Sequence, residues 1–168
     1  MSLTMYTATV PTCTRALNSL AAILEKASAH AEARKVARAT LLGTRLYPDM
    51  LPLSMQIQLA NDSARSGAAR LAGVDVPTVE AKDRGFAEWT TATRDTIAFI
   101  QSLKPAQFEG SEDKTVSWQT RSSTKSMQGT PYLFHHVLPN VFFHVTTAYD
   151  ILRQAGLEIG KMDYLGRG

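Results

Sequence analysis

One cysteine, Cys13, stands in 168 residues, so no internal disulfide can form and a reducing compartment is implied. No apolar run approaches the roughly 18–20 residues of a membrane span. The N-terminal stretch MSLTMYTATVPTCTRALNSLAAILEK has no charged segment ahead of its apolar residues, and Arg15, Glu25 and Lys26 interrupt it. It does not read as a signal peptide, and the expectation is a cytoplasmic protein with no membrane partner. Charge of one sign is also lacking. Eighteen basic and fifteen acidic residues leave only +3, too little to argue for a nucleic-acid partner. Aromatics are 8% of the chain, and no internal repeat, heptad array or low-complexity tract occurs. HExxH, CxxC, Walker-type, GxGxxG and GxSxG motifs are all missing, which removes the enzyme classes that those motifs define.

What is present is an ordinary globular composition, 44% hydrophobic and 20% charged, at the length of one domain covering residues 1–168. Apolar residues recur at helical steps in four places. Leu17, Leu20, Leu24, Ala27 and Ala31 predict a first helix from just after Pro11 to about Ala33, capped by Thr12 or Thr14. Asp49 reads as the N-cap of a second helix, with Pro52 in its first turn and Gly73 just past its end. Leu53, Ile57, Ala60, Ala64, Ala68 and Leu71 form its main stripe, and Gly67 beside it leaves room for a neighbouring helix. Leu51, Met55 and Leu59 lie on nearly the opposite side. A second apolar face of that kind predicts a homodimer, two-fold dimers being the commonest assembly.

A third helix is expected to open at Pro77-Thr78, with Glu80 and Asp83 favourably placed near its positive end. Phe86, Trp89, Thr93, Ile97 and Ile100 are in register along it, and Pro105 closes it. Thr115–Trp118 and Thr124–Met127 then read as a small β-hairpin around a Ser-rich turn. A fourth helix runs from Thr130-Pro131 to Gln154, with a kink at Pro139. Its stripe is Phe134, Leu138, Val141, Val145, Ala148 and Leu152, widened by Phe142 and Tyr149. Four amphipathic helices of this length predict an all-α four-helix bundle. The apolar tail after Gly156 is expected to fold back over the bundle, with Asp163 or Tyr164 as candidates to close a polar pocket.

Of the four histidines, His30, His135 and His136 read as surface or boundary residues. His144 differs, lying about 80° from the centre of the fourth helix's stripe, level with Asn140 four residues earlier. An imidazole half inside a bundle needs a hydrogen-bond partner or a metal. The second helix offers Gln56 at a similar angle, with Gln58 and Asp62 further round. Two readings stay open: a polar network Gln56–Asn140–His144 tying two helices together, or a ligand site built between them.

The pattern PDM…Q-x-Q…ARLAG…LPN-x-x-FH-x-TTAY-x-ILR…G-x-x-x-GK-x-D-x-LG resembles the DinB/YfiT-like four-helix bundles, in a bacterial branch of unassigned function. The resemblance covers nearly the whole chain, and the segment LPNVFFHVTTAYDILR is its most specific part. It implies that superfamily's bundle topology. It also implies a divalent metal held by one His on the second helix and an H-x-x-x-H pair on the fourth. Here His144 falls on the second His of that pair, Asn140 on the first, and Gln56 or Gln58 near the second-helix ligand. Two imidazoles are thus replaced by carboxamides, weak neutral ligands poorly matched to zinc or nickel. The implied site is degenerate: His144, Asn140 and Gln56 as a weakened metal set, or as a small-molecule site with His144 as base. The other reading is a non-catalytic dimeric bundle whose polar interior is structural.

Overall fold

The computed structural model describes residues 3–79, 84–120 and 122–167. Helix α1 spans Met5–Ala33 and starts on a capping box: Thr4 Oγ1 accepts the Thr7 N–H at 3.1 Å, and Thr7 Oγ1 accepts the Thr4 N–H at 2.8 Å. That box sets the start ahead of Pro11, correcting the expected beginning beyond it. Pro11 is exposed inside the helix, and Thr12 and Thr14 are helical residues rather than caps. A short helix, α2 (Arg38–Gly43), follows and turns Leu41 and Leu42 into the core. Six residues are too few to show a period, and α2 has no counterpart among the expected helices.

Helix α3 spans Leu53–Ala72, with extended Pro52 as its cap residue. The Leu53 N–H donates to the Thr44 carbonyl at 2.9 Å, and a Tyr47–Met50 turn separates Asp49 from the helix. Asp49 is therefore not its cap. Gly73 ends α3 at φ 71°, the left-handed position that glycine takes without strain. All six residues of the expected stripe are buried, while Met55 and Leu59 are half-buried and Leu51 is exposed.

Helix α4 spans Phe86–Ser102, starting later than expected; residues 77–79 are irregular, and Glu80 and Asp83 lie outside the described residues. Phe86, Trp89, Thr93, Ile97 and Ile100 are all buried, as their spacing predicts. Pro105 opens a 3-10 turn to Phe108. The hairpin pairs β1 (Thr115–Gln119) with β2 (Thr124–Gln128), antiparallel, with Val116 opposite Met127 and Trp118 opposite Lys125.

The last long helix is built in three parts: α5 (Gly129–Tyr132), a π turn (Leu133–Val137) and α6 (Leu138–Gln154). The Leu138 N–H reaches back five residues to the Leu133 carbonyl, one residue more than an α-turn. That extra residue shifts the phase of everything before it. Leu133 and Val137 therefore take the core positions, and Phe134, expected in the stripe, is exposed. Phe142 is likewise exposed, whereas Val141, Val145, Ala148 and Leu152 are buried.

Around the bundle α1 packs on α4, α4 on α3, α3 on α6, and α6 back on α1. The α3 contact is close. A Cβ built on Gly67 would sit 2.5 Å from Val137 Cγ1, so only glycine lets the π turn approach this face. After α6 the chain turns at Gly156, buries Leu157 and Ile159, and ends in α7 (Lys161–Tyr164) against α1. The tail docks on the bundle. No described helix is long and apolar enough to cross a membrane.

Candidate functional site between α3 and α6

Because α3 and α6 pack so closely, polar residues at the edge of their contact meet. Gln56 in the first turn of α3 and His144 in α6 are both buried, and His144 is only 9% exposed. His144 Nδ1 lies 2.7 Å from Gln56 Oε1, while Gln56 Nε2 donates to the Leu51 carbonyl at 3.1 Å. The second bond fixes the first: with its N–H2 committed to Leu51, the carboxamide turns its oxygen to the imidazole. An amide oxygen only accepts, so Nδ1 carries the proton and Nε2 of the neutral ring is a bare lone pair. Burial pushes the His144 pKa below its ordinary value, favouring that neutral form. The Phe143 ring meets the imidazole edge-on at 5.2 Å between centroids.

Asn140 does not join this pair through any hydrogen bond. Its Nδ2 donates to the His136 carbonyl at 2.6 Å, within its own helix, beside Pro139 and the π turn. The expected three-membered network is thus a two-membered one. Gln58 and Asp62 line a cavity with residues of α4, and Asp62 accepts a hydrogen bond from Arg65 at 2.5 Å. The tail does not supply the missing charge either. Asp163 pairs with Lys26 of α1 and accepts the Gly160 N–H at 2.7 Å, and its carboxyl is held below the usual range chiefly by the Lys26 hydrogen bond. Thr146 Oγ1 donates to the Tyr164 hydroxyl at 3.0 Å.

The other histidines lie apart from the pair. His30 is in the last turn of α1, and His135 is exposed. His136 stacks on Trp118 at 4.6 Å and on Tyr132 at 5.4 Å, fastening the hairpin to the helix. Burial, then the charges of Arg70 and Lys125, push its pKa down. Cys13 is fully buried and its thiol is pushed up to about 12, so it is no nucleophile.

Among the described residues no three His, Cys, Asp or Glu side chains come together as a metal site. The donor chemistry agrees: around His144 there is one imidazole nitrogen, and the Gln56 oxygen is already bonded to the ring's own N–H. These residues do not fit the three-imidazole metal centre that the superfamily resemblance implies.

The helices and the intervening two-stranded hairpin make a DinB-like helical fold. A solved structure of the same kind, the crystal structure of a DinB family member protein from Shewanella denitrificans, is 36% identical to this chain. It superposes with a TM-score of 0.88, over 96% of this chain and 91% of that one. The chain belongs to the family described as a domain of unknown function, DUF1993, whose model matches residues 5–165. No curated protein matches it.

Proposed function

We propose that this protein binds a small molecule between α3 and α6, with His144 Nε2 as hydrogen-bond and proton acceptor, without a metal triad. The observation that carries the reading is the 2.7 Å contact from His144 Nδ1 to a Gln56 carboxamide anchored on Leu51. It holds the ring in one tautomer and one orientation, the two things a positioned general base needs. The lowered pKa keeps the lone pair available at neutral pH. A single neutral nitrogen recognises an acidic O–H or N–H group, so phenols are the fitting probe class. Titration of the intact protein with phenol, followed by calorimetry and by the His144 ring signals, tests this. A saturable shift of the ring signals is expected, with the heat of binding lost in His144→Gln; no shift, or a heat of binding unchanged in His144→Gln, contradicts it. Tight uptake of one equivalent of nickel, zinc or manganese would contradict the metal-free form.

A second reading, a non-catalytic homodimer, is favoured by a different observation: Phe134, Phe142 and Phe143 are all exposed on the α5–α6 segment. Sedimentation at micromolar concentration separates the two states, and a mass near 18.4 kDa would count against the dimer.

A further inference from the structure

A cavity of about 370 Å3 lies between α1, α6 and the C-terminal tail. Pro11 and Arg15 of α1, Phe142 and Val145 of α6, and Tyr164 and Leu165 of the tail line it, and His144 does not. The lining is mainly apolar. Val145 is buried, Leu165 half-buried, and Phe142, whose spacing puts it beside the core stripe, stands 39% exposed. The wall formed by the tail is fixed in place. Thr146 Oγ1 donates to the Tyr164 hydroxyl at 3.0 Å, and the Tyr164 ring meets that of Tyr149 edge-on at 6.0 Å between centroids. Arg15 Nη2 donates to the Leu165 carbonyl at 3.0 Å. Preformed, mostly apolar clefts of about 300–1,000 Å3 with a few placed polar groups are where small molecules bind.

The charge of the lining says which ligand. Arg15 is the one charged residue that lines the cavity among the described residues. One N–H of its guanidinium goes to Leu165, and no described carboxylate pairs with it. Asp163, next to Tyr164 in the tail, is taken by Lys26 and by the Gly160 N–H. A guanidinium with a free edge beside an apolar wall takes a planar anion through paired N–H bonds. One positive group balances the single charge of a carboxylate, which a phosphate exceeds. A cation would be repelled, and a neutral group would forgo the charge-assisted bonds. The volume is near the lower end of the usual range, so the body attached to the carboxylate is small. We infer that this cavity binds a small apolar carboxylate, its charged end on Arg15 and its body against Phe142, Val145 and Leu165.

3-Phenylpropanoate is the probe, at neutral pH on the intact 15N-labelled protein, with 3-phenylpropanamide and 3-phenylpropylamine as its neutral and cationic counterparts. The backbone N–H signals of Phe142 and Leu165 are expected to shift saturably with the carboxylate, and both counterparts to bind more weakly. Arg15→Met keeps the aliphatic stem and removes the charge, and should lower the affinity measured by calorimetry about tenfold. That variant also releases the Leu165 carbonyl, so Phe142→Ala, at an exposed side chain, is the second. It shortens the apolar wall without touching the charge and should weaken binding several-fold. The proposal is overturned by the lack of a saturable shift, by equal or tighter binding of the amide or the amine, or by unchanged affinity in either folded variant. Shifts of the same signals that follow protein concentration without ligand would seat a second copy on this wall and overturn it as well. Phenol reports on the His144 ring and the carboxylate on Leu165, so failure of one site leaves the other standing.

Discussion

Replacing Gln56 with leucine tests whether the contact with His144 is an energetic unit. The substitution keeps the bulk but removes the oxygen that accepts the His144 Nδ1–H and the amide that donates to Leu51. The stranded imidazole N–H is buried, and leaving such a donor unpaired costs about 1–3 kcal/mol. The bond to Leu51 adds little, since Leu51 is exposed and water can replace the amide there. A loss of about 2 kcal/mol is expected for Gln56→Leu. For a chain of this size that lowers Tm by about 4–8 °C. His144→Phe leaves Gln56 Oε1 without its partner and should cost a similar amount. The double variant strands neither group, so its loss should fall short of the sum by about 1–3 kcal/mol. Urea unfolding at pH 7.5, followed by circular dichroism, measures all four corners of the cycle. Additive losses would mean that the two residues do not interact in solution, and the site would lose its basis.

Stability should fall in acid in two windows. The folded-state pKa values of His144 and His136 lie below their ordinary value, so the unfolded chain binds more protons. Their contribution is complete above pH about 6.5 and declines as pH falls through the folded values. Asp163, lowered by Lys26, contributes above its ordinary value and loses that contribution only as pH drops through its own lower folded value. Urea midpoints across pH 3–8 check both windows; flat stability between pH 7 and 5 would contradict the histidine part. Gly67→Ala should destabilise by about 1–3 kcal/mol, because its Cβ would overlap Val137 and the π turn would have to move. An unchanged melting temperature would refute the close approach. Truncation after Gln154 removes buried Leu157 and Ile159, each contributing about 1.5–3 kcal/mol, and should lower the melting temperature well beyond the effect of trimming exposed residues.

The core-facing stripes of α1, α3 and α4 were legible because each is a property of one helix, with a period visible in its own residues. Boundaries were not. Pro11 reads as a helix start, but the Thr4–Thr7 box lies upstream and an exposed proline is tolerated within the helix. Asp49 reads as a cap, but the Leu53 N–H is held by the Thr44 carbonyl across a turn. The π turn broke the expected stripe at Phe134, since a single five-residue step leaves no mark in composition while rotating every side chain before it. His144 and Gln56 were found from their boundary angles on two helices. Asn140 lies four residues before His144 on the same helix, but the His136 carbonyl takes its amide N–H, a local bond that the spacing does not show.

The central claim is that His144 is a neutral imidazole with its proton on Nδ1, held by Gln56, and a free lone pair on Nε2. A long-range 1H–15N spectrum of the imidazole in the intact protein at neutral pH tests it most directly. The account predicts a protonated Nδ1 and an unprotonated Nε2 for His144, with the pattern lost in Gln56→Leu. A ring protonated on Nε2, or on both nitrogens, at neutral pH would contradict it.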